Sequence, residues 1–401
     1  MTESKARLIA GNFSTTGTPA NVTGATGTGG GGGGVKFRNL LMNGNMNVAQ
    51  RLALEQNGLG ASSYTGITGT TYIIDRWRFS AAMDGACTLT RSTDVPAGEG
   101  FPASFKVDVT TVDTSLANGQ LAHIQTGIEG RDLQHLAYGT ASAKTLTCSF
   151  WVKSNKTGTY CFAIAKPDQT RMHFIKEYTI SSANTWEKKT ILIEPSSIIK
   201  ASGGEIDNDV GLGFRVIWVL FDGADRDNGV EGWQADATGL LTSTSNQVNL
   251  FDNTANDFYL TGCQLEIGDT ATDFDFVPTD IETTRCKRYY QRYNRNANYS
   301  GMGLAVPWST TNGNIPWHME VQPRTNPSIE YGHLSHFDYF GVTGAGSGGV
   351  PTGFSNAGWA GGTNIDIGFT GSGFSAARAM LVEFDNTTTN LPAFFAFNAE
   401  L

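Results

Sequence analysis

Apolar and polar residues alternate along most of this chain with the period of two that a half-buried β-strand requires. In LTCSFWVKS, Leu146, Cys148, Phe150 and Val152 face one side and Thr147, Ser149, Trp151 and Lys153 the other. VIWVLF at 216–221 is a continuous apolar run of strand length, which predicts a central strand covered on both faces. From 258 onward, Leu260, Gly262, Gln264 and Glu266 are set against Tyr259, Cys263, Leu265 and Ile267, the pattern of a half-buried strand. Ile315, Trp317, Met319 and Val321 alternate with Pro316, His318 and Glu320. Ile365, Ile367 and Phe369 repeat the pattern, as do Leu391, Ala393, Phe395 and Phe397. Many short strands separated by turn signals predict a mainly β chain built from sandwiches or jelly rolls.

One segment breaks the period. After Pro278, Thr279 and Glu282 have capping-box spacing, and Ile281, Cys286, Tyr289 and Tyr293 form a loose apolar stripe. Lys287, Arg288 and Arg292 suit the negative pole of a helix. One short connecting helix over 279–293 therefore separates a jelly-roll β-sandwich at 36–278 from a second, C-terminal β-sandwich-like domain at 294–401. Residues 1–35 differ from both, with KARLIAGNF at 5–13 followed by Thr/Gly/Asn-rich sequence and six consecutive glycines, Gly29 to Gly34. They are read as an extended N-terminal anchor contacting its assembly through Lys5, Arg7, Leu8, Ile9 and Phe13. The alternative is a flexible linker behind a frayed terminus. The Gly-rich stretch 341–362 is expected to lack regular structure and, as a long loop on a β scaffold, to be a place for recognition.

The motif order carries a resemblance. NLLMNGNMNVAQR at 39–51, IIDRWRF at 73–79, GQLAHIQTGIEG at 119–130, LTCSFWVKS at 146–154, NTWEKKTILIE at 184–194 and FYLTGCQLEIGDTATDFDFVPTDIETTRCKRYYQRYN from 258 follow one another in the chain. In this order they resemble the jelly-roll domain of tail-fibre and other minor virion proteins of tailed bacteriophages, over roughly the middle 250 residues. The resemblance implies a virion protein with a carbohydrate-binding-like fold, a homotrimer as in phage fibres, and other virion proteins as partners of residues 1–35. It implies a host surface glycan only as a further step, because fold and function separate readily.

Composition narrows the classes. Charged residues are only 16% of the chain and Gly accounts for 49 of 401 residues, which suits tight turns and a surface partly hidden in an assembly. A net charge of −9 without any long Lys/Arg run argues against nucleic acid as a partner. The five cysteines are odd in number and make no CxxC pair, so a complete disulfide framework is excluded and reduced core thiols are expected. MTESKARLIAG has too short an apolar stretch for an export signal, and no window approaches 18 apolar residues. Taken with the resemblance, which implies a virion protein, the expected location is the virion, after synthesis in a host cytoplasm, with no membrane insertion.

Catalytic signatures such as GxSxG, HExxH, the P-loop and a helix-opening GxGxxG are absent, and a non-enzymatic role is expected. A glycan depolymerase is less favoured, since such enzymes usually use long β-helices and no short-coil period occurs here. A secreted carbohydrate-binding module is opposed by the missing export signal. His333 and His336 have an i, i+3 spacing that a metal site would want on a helix, in sequence that reads as strand and turn. Asp222, Asp225 and Asp227, with Glu231, resemble a calcium loop, the only cofactor suggested. The EF-hand pattern fails at Val230, and a solvated hairpin turn built on Asp227, Asn228 and Gly229 is the alternative. For glycan contact, Trp359 in the Gly-rich loop leads, followed by Tyr331, Tyr339 and Trp308; Trp317 reads as core and Trp151 as an inter-domain or inter-subunit contact. These readings converge on a tail-fibre or tail-tip subunit, with a capsid decoration protein or head fibre as the alternative.

Overall fold

A computed structural model describes residues 38–52, 63–239, 241–295, 300–341, 349–359, 361–372, 374, 379–384 and 393–401. The expected anchor, with Lys5, Arg7, Leu8, Ile9 and Phe13, lies outside the described residues, as does Leu391.

The apolar run at 216–221 lies within β9 (Leu212–Asp222) and is covered on both faces, as its composition predicts. Val216, Trp218 and Leu220 enter the main core, while Ile217 and Val219 pack with Cys161, Ala163 and Ile175 beneath Leu241. Around β9 the chain lays down β1 (Ser63–Ile74), β2 (Trp77–Ser92), β3 (Ser104–Thr111), β4 (Leu121–Glu129), β5 (Leu146–Ser154), β6 (Gly158–Lys166), β7 (Met172–Ile180), β8 (Glu187–Ile193), β10 (Gly232–Ala235) and β11 (Asp257–Ile267). They form one antiparallel sheet in the order β10-β7-β6-β9-β4-β2-β3-β11-β5-β8, with β1 also on β2. The long β2 makes the fold-over: Trp77–Ala82 pair with β4, whereas Ala86–Ser92 pair with β3. The sheet thus becomes the two layers of a jelly-roll sandwich. Aromatic contacts fill the gap, with Trp77 against Trp218 at 5.3 Å between ring centroids and Phe150 against Trp218 at 5.5 Å. Leu146, Cys148, Phe150 and Val152 are all in this core, the face their alternation assigns.

β11 departs from its expected alternation. It is buried along nearly its whole length, and Phe258, Leu260, Cys263 and Leu265 all join the core, so the inward parity changes from even to odd. A β-bulge between Thr261 and Gln264 causes the change, with Gly262 at φ 60°, a conformation that disfavours side chains with a Cβ. The backbone groups near the bulge are satisfied by NLLMNG. Cys263 N donates to Gly44 O at 2.9 Å, Asn39 Nδ2 donates to Cys263 O at 2.9 Å, and Leu265 N donates to Asn39 Oδ1 at 3.0 Å. On the other face, Gln264 and Glu266 are enclosed by hydrogen bonds to Thr272 and Asp275.

Helix α1 (Thr279–Lys287) starts where expected, but the capping box does not form. Pro278 occupies the N-cap, Thr279 is already helical, and Glu282 Oε1 instead accepts from Asn43 N at 2.6 Å. The helix also stops at Lys287 and not at 293. Tyr290–Arg295 become strand β12, because β20 (Ala393–Asn398) offers a full ladder to an aromatic-rich segment. With β15 (Ser328–Tyr331) these make a three-stranded sheet in the order β12-β20-β15. A six-stranded sheet faces it, built from β13 (Ser300–Pro307), β14 (Asn312–His318), β16 (Phe337–Gly341), β17 (Gly353–Gly358), β18 (Asn364–Thr370) and β19 (Met380–Phe384). Its order is β16-β19-β13-β14-β18-β17. Ile315, Ile365, Ile367, Phe337, Phe384, Phe395 and Phe397 share this second core, and Trp317 packs against it. The Gly-rich stretch thus contains a strand, β17, since Phe354 and Asn356 pair with Phe369 and Ile367 of β18.

A buried polar junction ties the jelly roll to this second sandwich. Glu400 is held by Arg51 at 3.3 Å and by Arg76, with all three side chains under 10% exposed. Arg76 lies 3.4 Å from the ring centroid of Tyr289, and Arg51 lies 3.6 Å from that of Tyr290. Arg288 grips Glu129 through two nitrogens at 2.7 and 2.9 Å, and Tyr289 donates to the same carboxylate. Despite its burial, these bonds hold Glu129 below the usual carboxylate range.

Candidate glycan-contact site

Trp359 follows β17, and Gly361 and Gly362, at φ 96° and 78°, turn the chain back into β18. The indole Nε1 donates to Gly362 O at 3.1 Å, which fixes the ring while one side rests on the second core. Alternation along β18 buries Ile365 and Ile367 and leaves Asn364 and Asp366 exposed. Trp359, Asn364 and Asp366 consequently line one groove of about 550 Å³ with Gly358, Gly361 and Ile365. Asn364 Oδ1 lies 2.9 Å from His318 Nδ1, so its amide is braced from the neighbouring strand. The groove therefore presents an aromatic ring, an amide and a carboxylate together. Such a set can stack the C–H face of a pyranose and pair with its hydroxyls.

The other aromatic candidates lie elsewhere. Tyr339 is enclosed by Phe369 and Phe374, and its hydroxyl donates to Ser372 O at 2.9 Å, so it is a packing residue and not a groove residue. Tyr331 is half-buried against Phe354 and Phe337. Trp308 is 64% exposed just beyond β13. Trp151 lines a pocket of about 260 Å³ with Phe101, Phe274 and Phe276, beside the Gly262 bulge. Asn364 and Asp366 were missed by sequence reasoning, although their signal was present in the alternation with Ile365 and Ile367.

The calcium reading loses its ligand set. Asp222 is buried and bound by His123 at 2.5 Å, Thr242 at 2.7 Å and Ser243 at 2.6 Å, while Asp225 accepts from Gly119 N. Asp222 and Asp225 are thus engaged by the protein's own groups, and among the described residues no three His, Cys, Asp or Glu side chains are grouped to hold a metal ion. His333 caps a single 3-10 turn that ends in His336, which is buried. All five cysteines are free and buried, and burial pushes the thiols of Cys161 and Cys87 up to about 11 and 12. Among the described residues no helix is long and apolar enough to cross a membrane.

No family model and no curated protein matches the sequence. Among solved structures, the chain is similar to the enzymatically active domain of tailspike protein 4 of bacteriophage CBA120, at 14% identity and a TM-score of 0.28. That match covers 58% of this chain and 22% of the tailspike domain. A family 11 carbohydrate-binding module of a Clostridium thermocellum cellulosomal cellulase matches at 12% identity and TM-score 0.27, over 50% of this chain and 96% of the module. A tandem pair of family 22 modules from Paenibacillus barcinonensis matches at 8% identity and TM-score 0.23, over 84% of this chain and 98% of the pair. At such distances the functional reading rests on the chain's own residues.

Proposed function

We propose that this chain is a non-enzymatic structural protein of a tailed-bacteriophage virion, a tail-fibre or tail-tip subunit whose C-terminal sandwich contacts glycan on the host surface. The observation that carries glycan contact is the groove in which Trp359, Asn364 and Asp366 converge. The virion role is supported by the order of the jelly-roll motifs, which resembles that of phage fibre proteins. On this reading residues 1–35 engage other virion proteins and the subunit is a homotrimer. A glycan array probed with the full chain tests the site. At least one glycan class should be retained by the native protein and lost about tenfold in Trp359→Ala and in Asp366→Asn, equivalent to roughly 1.4 kcal/mol. Trp308→Ala, outside the groove, should bind as the native protein does. Retention of no glycan, or unchanged binding in both groove variants, overturns the proposal.

A further inference from the structure

The rolled sheet of the jelly roll remains open, since β10 and β8 are its two ends. A cleft of about 1060 Å³ lies at this seam. Phe174 and Trp233, register partners on β7 and β10, form its apolar floor, and Trp233 is steadied by Tyr138 at 5.9 Å and Phe214 at 6.3 Å. The turn at 141–145 and the segment at 192–196 form its walls.

Three lysines and two glutamates supply the charged lining, in a chain whose net charge is −9. Lys176 is paired with Glu231 at 2.6 Å, and Glu231 also accepts from Glu177 N. Lys144 and Lys200 have no carboxylate partner among the described residues, so the local balance is positive. The indole N–H of Trp233 is buried and finds no acceptor among the described residues. Glu194 adds a carboxylate acceptor to the lining. An aromatic floor with two unpaired cations and one acceptor brings stacking, charge and hydrogen bonding together in one cleft. Lys144 and Lys200 call for an anion, while Glu194 suits hydroxyls and would oppose the double charge of a phosphate.

We propose that the seam cleft is a second binding site, independent of the Trp359 groove, for an acidic saccharide. The sugar ring lies against Trp233, its carboxylate meets Lys144 and Lys200, and its hydroxyls donate to Glu194. Calorimetric titration of the full chain with trigalacturonate and with its methyl ester tests this, because the ester keeps the ring and removes the charge. The acid should bind at least tenfold more tightly than the ester, and the Lys144→Ala/Lys200→Ala variant should reduce acid binding to the ester's level. Trp359→Ala should leave acid binding unchanged, which separates failure of this site from failure of the groove. Neither lysine packs in the core, so the double variant is expected to fold, and circular dichroism checks that it does. Equal affinity for acid and ester, no binding of either, or undiminished binding by the double variant overturns the proposal. Displacement of trigalacturonate by inorganic phosphate at equal concentration overturns the saccharide assignment.

Discussion

Asp75 occupies the tight turn between β1 and β2, fully enclosed, with Gln50 donating to its carboxylate from backbone and side chain. Burial pushes its pKa from 3.8 up to about 6, against the opposing pull of Arg51 and the Gln50 bonds. Because the folded value is raised, this group's stabilising contribution is complete below 3.8 and is lost as pH rises through about 6. The associated loss is on the order of 3 kcal/mol. Urea unfolding of the native protein and Asp75→Asn across this range should show the variant gaining relative stability as pH rises to about 6, then no further change. A difference independent of pH would contradict this assignment. Single-residue contacts were the least legible in the sequence. IIDRWRF shows an Asp and an Arg between apolar neighbours, but nothing local shows that Arg76 meets Glu400 from the far end of the chain.

Elements were legible where one local pattern decided them. β5 and β9 declare themselves by alternation and by an unbroken apolar run. β11 did not, because a bulge reverses parity without altering composition, and Gly262 alone hints at it. The end of α1 was hidden for a different reason: Tyr293 fits a helical stripe as well as a strand, and the choice belongs to β20, about a hundred residues later. NLLMNG likewise has no strand pattern, yet it docks on β11 so closely that a Cβ on Gly44 would stand 2.0 Å from Cys263 O. Gly44→Ala should therefore cost about 1–3 kcal/mol through overpacking. Chemical denaturation measures it, and an unchanged midpoint would show that the segment does not dock as described.

At the scale of the whole molecule, two cores are joined by buried charge. Removing Glu400 would leave Arg51 and Arg76 enclosed without their carboxylate, so Glu400→Gln should destabilise the protein by about 3–5 kcal/mol. Thermal unfolding should show the loss, and an unaltered transition would mean that the junction contributes nothing. The β architecture was readable in the sequence, and Trp359 could be singled out as a candidate because no core periodicity explained it. The groove itself was not, because it requires the β17–β18 hairpin that brings Asn364 and Asp366 beside the ring. The proposed place of the chain is the tail of a virion, with the C-terminal sandwich outward. Immunogold labelling of intact particles with an antibody against residues 294–401 tests it most directly. Label is expected on the tail or its appendages; label spread over the head, or none on the particle, would overturn that placement.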